Sequence, residues 1–271
     1  MRSLLRTGMV LAATAVTTLV PWSRGLFARP AAAFQGSRPL GITNVTVIDV
    51  ERGARLRDHT IIIEGGRIST VGPSSQVRVP DGYGVVPARG KFVIPGFVDR
   101  HAHLTSEEGS AVAESAAARL ARFALHGTLA MAELTPNVLE GVSALQRDTG
   151  NPPIPRVHVE GGTNRGGAVR ADSTEQIPDG VVVHEELRRA VEGGLTPAAA
   201  LKALTVDAAR ALGWQNRVGS VAPGRFGDLI ILDANPLEDI RNTTSINAIL
   251  VGGRFIDAEE RQRLLASLAS R

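Results

Sequence analysis

Strand-like and helix-like segments alternate through the middle of the chain, and this order constrains the fold more than any other feature. Three runs predict strands, at 93–104, 128–134 and 156–160. Helical spacing of apolar residues predicts one helix over 110–125 and another after Thr135. Because strands joined by helices run parallel, this order predicts an α/β fold with right-handed crossovers.

The two ends of the chain carry matching hairpin patterns. Gly65-Gly66 separates two β-branched runs, and Gly252-Gly253 separates two more. Two glycines between such runs are typical of a tight β-hairpin. A further strand is predicted at 228–232. We expect the two ends, residues 38–90 and 214–258, to form one composite β-sandwich.

Three helices are predicted between the parallel strands and the C-terminal hairpin. They span 184–191, 197–204 and 206–212. Gly193-Gly194 is expected to end the first helix, while Thr196 and Thr205 are expected to cap the second and third.

The first 33 residues resemble an export signal. Arg2 and Arg6 precede an uncharged, mostly apolar run at 9–20, and Ala31-Ala32-Ala33 offers a cleavage site before Phe34. The apolar run is about 18 Å long as a helix, which is too short to span a bilayer. The expectation is therefore a periplasmic or extracellular protein with no stable membrane span after cleavage.

The charge balance argues against a nucleic-acid partner. Four of the 30 basic residues lie in the predicted signal, which contains no acidic residue, so 26 remain against 27 acidic residues. A near-neutral mature chain lacks a phosphate-binding footprint.

The chain also has no cysteine, which excludes disulfides, thiolate metal ligands and a cysteine nucleophile.

Two histidines, His101 and His103, end the first predicted strand of the middle region. Residues at i and i+2 of a strand project to the same side, so both imidazoles can bind one ion. Neutral imidazole is a common ligand of zinc and similar divalent metals. The pair therefore predicts a metal site.

Three segments of the sequence form a combined motif: residues 95–103, Pro-Gly-Phe-Val-Asp-Arg-His-Ala-His, then residues 194–213, then residues 219–229. In this order they resemble the metal-dependent amidohydrolases, and the imidazolonepropionase-like and Xaa-Pro-dipeptidase-like enzymes in particular. The first segment is similar to the first barrel strand of that family, the second to the helices that close the barrel, and the third to the return to the β-sandwich.

The resemblance implies a TIM-type barrel with a composite β-sandwich and one or two divalent metals at the barrel mouth. It also implies hydrolysis of an amide or related C–N bond in a small molecule by metal-activated water, with an aspartate taking the proton of that water.

Length and composition depart from this pattern. A full barrel takes about 250 residues, whereas residues 91–213 have room for about four of eight strand-helix units at roughly 30 residues each. The chain has two lysines, Lys91 and Lys202, and neither stands where a bridging lysine is expected. Asn164 occupies the place of the catalytic aspartate. We therefore expect a shortened barrel, with an internal deletion near residues 158–164.

Other residues are weaker candidates for the metal site. His158 and Glu160 share a strand face, and Asp99 and Glu133 are further possible ligands. The remaining histidines are expected to have structural roles. His184 is expected at a helix start, His126 at a helix end where positive charge is favourable, and His59 on the surface.

The glycine-rich run at 161–167 lacks the Lys-Ser/Thr ending of a phosphate-binding loop, and no Gly-x-Ser-x-Gly elbow occurs.

Two functional hypotheses from different classes remain: a metal-dependent C–N hydrolase, with His101 and His103 holding zinc or another divalent ion, and an inactive remnant that binds or scaffolds. A further possibility is that two copies of the chain pair to complete one barrel, because the missing strand-helix units would leave strand edges exposed.

Overall fold

The computed structural model describes residues 38–102, 116–133, 153–159 and 180–269. Within these ranges the chain forms two sheets. One sheet has eight strands drawn from both ends of the chain, and the other has three strands drawn from the middle. In the described residues, no helix is both long and apolar enough to cross a membrane.

The eight-stranded sheet joins the two ends of the chain. Its strands are β1 (Leu40–Asp49), β2 (Ala54–Glu64), β3 (Arg67–Pro73), β4 (Gly84–Pro87), β5 (Phe92–Pro95), β9 (Leu229–Leu232), β10 (Ile246–Val251) and β11 (Arg254–Asp257). The order is β11-β10-β9-β5-β1-β2-β3, with β4 paired to β1. Both predicted hairpins are confirmed, because β2 pairs with β3 and β10 with β11 in antiparallel fashion across the glycine pairs.

One hydrophobic cluster of this sheet contains residues from both chain ends. It includes Ile42, Ile61 and Ile68 from the N-terminal strands together with Ile231 and Leu250 from the C-terminal strands. Each of these side chains is at most 1% exposed. Burial of such aliphatic side chains is the main force that holds the composite sheet together.

The three-stranded sheet is parallel, as the sequence predicts. It contains β6 (Phe97–Ala102), β7 (Thr128–Glu133) and β8 (Arg156–Val159) in that order. Helix α1 (Ala116–Leu125) packs on it, where Leu120 and Phe123 contact Met131 and Val157. Further strand-helix units of the predicted barrel, the helix after Thr135 and the predicted deletion at 158–164 lie wholly or largely outside the described residues.

The predicted strand 93–104 is two strands in two different sheets, separated at Gly96. The Gly96 N–H donates to the carbonyl of Asp228 (3.0 Å), and the next N–H, of Phe97, donates to Gly127 (2.9 Å). A Cβ at Gly96 would lie 2.5 Å from the Cβ of Leu129, so only glycine fits this crossing. Consequently β5 joins the composite sheet, although the sequence assigned its residues to the barrel segment 91–213.

The helices that follow are α2 (Val182–Glu192), α3 (Pro197–Lys202), a π-helical segment (Ala203–Asp207), α4 (Ala208–Ala211), a 3-10 helix (Ile240–Thr244) and α5 (Ala258–Ala269). The predicted cap of α3 is confirmed, because Thr196 Oγ1 accepts the Ala199 N–H at 3.2 Å.

The predicted cap at Thr205 is wrong. Thr205 lies inside the π-helical segment that joins α3 to α4, and its hydroxyl donates to the Leu201 carbonyl one turn earlier (2.6 Å). The side chain is fully buried. A buried threonine can satisfy its hydroxyl in this way without ending the helix, so the local pattern of a cap was misleading.

Candidate functional site

The carboxyl ends of the three parallel strands meet at one edge of the small sheet. Ala102 at the end of β6 pairs with Glu133 at the end of β7, and Glu133 pairs in turn with Val159 at the end of β8. Ligands of α/β proteins bind at this edge, since the loops that follow the strands converge there. The edge is therefore the candidate functional site.

Three of the sequence-predicted candidates have backbone positions at this edge. His101 is the penultimate residue of β6, Glu133 is the last residue of β7, and His158 pairs with Ala132 in β8. His103, Glu160 and Asn164 lie outside the described residues. Within the described part of the chain, no group of three or more metal-ligating side chains is assembled.

Strand β6 contains an irregularity between Asp99 and Ala102, the interval that includes His101. Asp99 pairs with Met131, whereas Ala102 pairs with Glu133, so three steps along β6 match two steps along β7. Such an extra residue is a β-bulge, which bends a strand and re-aims the residues around it, often next to functional sites. The alternation of apolar and polar residues in the sequence does not predict this bulge.

The π-helical region supports β6 from one side. Val98 of β6 packs with Ala208, Ala209 and Trp214 in one buried cluster. Gly219 also approaches closely, because a Cβ there would lie 2.8 Å from the Thr205 carbonyl oxygen. Short π-helical segments frequently occur at functional sites. Here the segment lies against the strand that carries His101.

A buried ion pair anchors the opposite, amino-terminal end of β8. The Nε of Arg156 donates to Asp228 Oδ2, and its Nη2 donates to Oδ1 (3.2 Å). Asp228 Oδ1 also accepts the backbone N–H of Gly252 (2.9 Å). The pair therefore links the small sheet to the composite sheet, and sequence reasoning missed it because its members lie 72 residues apart.

His126 and His184 form a second buried polar cluster. The Nε2 of His184 lies 2.9 Å from the His126 carbonyl, and its Nδ1 lies 3.0 Å from Thr243 Oγ1. A carbonyl oxygen only accepts, so a neutral His184 carries its proton on Nε2. The rings of His126 and His184 are 6.4 Å apart, edge to face.

Burial lowers the pKa of both histidines to about 4, with the nearby positive charge of Arg261 adding to the effect. The expected positive charge on His126 is therefore wrong at neutral pH, because desolvation exceeds the attraction of the helix end. His184 is in the first turn of α2, as predicted, but it is only 8% exposed. His126 directly precedes the Gly127–β7 junction, so this cluster lies at the end of β7 away from the candidate site.

Comparison with known proteins shows to which family part of the chain is similar. Residues 162–256 match the model of the amidohydrolase family. An imidazolonepropionase of Mycolicibacterium smegmatis is 41% identical over 63 residues, which cover 23% of this chain and 15% of that enzyme. An adenine deaminase of Moorella thermoacetica is 35% identical over 72 residues, which cover 27% of this chain and 11% of the relative. The matches thus span only about a tenth to a sixth of these relatives.

Solved structures agree on the fold. A Xaa-Pro dipeptidase with bound methionine superposes with a TM-score of 0.62 at 12% identity, covering 81% of this chain and all of the other. The A. niger ochratoxinase gives 0.63 at 15% identity, covering 82% and 96%. The match of residues 162–256 to the amidohydrolase family confirms the resemblance seen in the motifs of the chain.

Proposed function

We propose that this chain is a metal-dependent amidohydrolase that cleaves a C–N bond in a small amide, a cyclic amide or a dipeptide. The observation that carries this proposal is the edge at which β6, β7 and β8 end together, with His101 as the penultimate residue of β6. The match of residues 162–256 to the amidohydrolase family supports the class of reaction.

The donor chemistry at this edge suits a divalent ion. Imidazole and carboxylate groups bind zinc and similar metals. We assign His101 and His103 as the residues that hold the ion, with Glu133 and His158 as further candidates. A bound zinc lowers the pKa of water toward 7 and polarises a carbonyl. Asn164 can orient a substrate by hydrogen bonding, but its amide cannot accept the proton of a water molecule.

Hydrolysis assays of the full chain test this proposal. Xaa-Pro dipeptides, N-acyl amino acids and cyclic amides are incubated with protein and zinc, and the newly formed amino group is measured, whether it is released or stays on the opened ring. We expect turnover of at least one class, loss of turnover with a chelator, and loss in His101→Ala, His103→Ala. A His59→Ala variant serves as the matched control, because His59 lies on β2 and contacts the Arg57 carbonyl.

A specific residue favours the alternative, an inactive remnant that binds or scaffolds. By the resemblance to the family, Asn164 stands where the proton-accepting aspartate is expected, and an amide side chain cannot act as a general base. The two proposals predict different outcomes with zinc present. A hydrolase turns over at least one of the assayed substrates. An inactive remnant binds substrate but releases no product from any of them.

We also propose that the chain is exported to the periplasm or the extracellular space. The support is the pattern of residues 1–33. N-terminal sequencing of protein recovered outside the cytoplasm should begin at Phe34, while recovery of uncleaved chain in the cytoplasm alone would contradict export. Size-exclusion chromatography of the same material tests the proposed pairing of two copies.

A further inference from the structure

Asp228 contacts the starts of two parallel strands and one hairpin of the composite sheet. Its backbone carbonyl accepts the N–H of Gly96, the residue directly before β6 (3.0 Å). Its carboxylate accepts two N–H groups of Arg156, the first residue of β8, and the N–H of Gly252 in the β10–β11 turn (2.9 Å). One residue of the chain is therefore hydrogen-bonded at the amino-terminal ends of both β6 and β8.

The Arg156 guanidinium group is held in one orientation. Its Nε and Nη2 donate to the two different carboxylate oxygens of Asp228, and its carbon lies 3.6 Å from the centre of the Phe226 ring. A two-point hydrogen bond together with a stacked ring fixes both the direction and the plane of a guanidinium group. Both side chains of the ion pair are less than a tenth exposed, which limits competition from water. The start of β8 is thus firmly attached to Asp228.

Strand pairing within the small sheet is irregular and does not by itself fix the spacing of its strands. β6 changes register against β7 twice, once directly after Phe97 and once between Asp99 and Ala102. β8 has four residues and, among the described residues, pairs only with β7. A bulge disrupts the hydrogen-bond ladder locally, and a short strand makes few ladder bonds. Contacts outside the ladder must therefore help to place β8 against β6.

We propose that Asp228 is a positioning residue that sets the spacing between two candidate metal ligands, His101 and His158. Both positions are level with Ala132 of β7, one on each side, so their backbones are about 10 Å apart, which is two strand spacings. His158 is only about 7 Å along β8 from Arg156, so movement at the ion pair displaces it directly. The effect on metal binding rests on the proposed function, whereas the spacing of the strands is measured without metal.

Electron paramagnetic resonance of the full chain, without metal, measures this spacing. Because the chain has no cysteine, nitroxide labels can be attached at two introduced cysteines, His101→Cys and His158→Cys. Dipolar coupling between the two labels reports the distribution of distances between the strands. We expect a narrow distribution in this labelled chain and a broader one when Asp228→Asn is added, since the Nδ2 of asparagine is a donor and cannot accept an arginine N–H.

Ile61→Ala in the same labelled chain is the matched control. Ile61 is fully buried in the composite sheet, where it pairs with Ile42 of β1 and Val71 of β3. The cavity left by its side chain lowers stability, but the change removes none of the hydrogen bonds of Asp228. The distribution should therefore stay narrow. Broadening equal to that of Asp228→Asn would overturn the proposal, because it would reflect a general loss of stability.

Two further variants separate positioning from stability. Arg156→Lys keeps the buried positive charge beside Asp228 but lacks the planar fork, so it replaces Asp228→Asn if that variant does not fold. Arg156→Met with Asp228→Leu leaves no buried charge and should be more stable than Asp228→Asn. The distribution should nevertheless be broad in both, because the two-point hydrogen bond is lost. A distribution as narrow as that of the parent in either variant would contradict positioning by this ion pair.

Zinc titration of the unlabelled chain tests the consequence for metal binding. Asp228→Asn should bind zinc about 10- to 100-fold more weakly than the parent, the loss typical of groups that orient metal ligands. Ile61→Ala should keep the affinity of the parent. Unchanged affinity in Asp228→Asn would overturn the assigned role. A parent chain that binds no zinc, together with the expected distance distributions, would instead contradict the proposed metal site and leave the positioning of the strands supported.

Discussion

Replacing Asp228 by asparagine should destabilise the fold severely. The side chains of Arg156 and Asp228 are only 8% and 3% exposed, so the pair is shielded from water. Asparagine keeps the shape and can still accept the Gly252 N–H, but it leaves the Arg156 guanidinium buried beside a neutral group. Removing one partner of a buried ion pair costs about 3 to 5 kcal/mol, because the remaining buried charge loses its carboxylate partner.

Urea unfolding followed by circular dichroism measures this loss. Asp49→Asn is the matched control, since Asp49 pairs with an Arg52 side chain that is 79% exposed. An ion pair with one partner in solvent contributes little to stability. A double variant, Arg156→Met with Asp228→Leu, should be less unstable than either single charge removal, because no buried charge remains.

The reasoning is refuted if Asp228→Asn lowers the free energy of unfolding no more than Asp49→Asn does. That result would mean that water reaches the pair, or that the link between β8 and the composite sheet carries little of the stability. A double variant as unstable as the sum of the single variants would also contradict it, since the two groups would then act independently.

Three further predictions follow from local geometry. The pKa of His184 falls from 6.5 to about 4 on folding, so the unfolded chain binds more protons and stability is lost as pH falls from about 6.5 toward 4. His184→Gln should remove up to about 3 kcal/mol of that pH dependence in urea unfolding between pH 7 and 4.5, and an unchanged slope would contradict the burial. Thr196→Ala should cost about 1 kcal/mol through loss of the cap of α3, whereas Thr196→Ser should cost less; equal losses would argue against the hydrogen bond to Ala199. Gly219→Ala should lower stability by about 2 to 3 kcal/mol in the same assay, because Gly219 has a φ of +88° and a Cβ would lie 2.8 Å from the Thr205 oxygen. Thermal stability equal to that of the parent would show that this contact is not tight.

Local patterns were sufficient to predict the two hairpins and the parallel strands. Gly65-Gly66 and Gly252-Gly253 all have positive φ, a conformation that glycine adopts without strain. The parallel order of β6, β7 and β8 followed from the helices expected between them. These features depend on residues close in sequence, which is why they can be recognised in a single chain.

Features that depend on tertiary contacts could not be predicted. The break at Gly96 arises because Leu129 packs against that position, and Thr205 stays within a helix because its hydroxyl finds a carbonyl one turn back. The burial of His184 depends on Thr243, 59 residues away. The location of His101 near the end of a strand was predictable from its motif, whereas the bulge between Asp99 and Ala102 was not.

Metal content of the purified full chain tests the central claim most directly. Elemental analysis after equilibration with zinc and removal of free ion should give close to one equivalent or more per chain. His101→Ala, His103→Ala should lose this metal, and His59→Ala should retain it. A parent chain without stoichiometric metal, or a double variant that keeps it, would contradict the assignment of this histidine pair as the metal site.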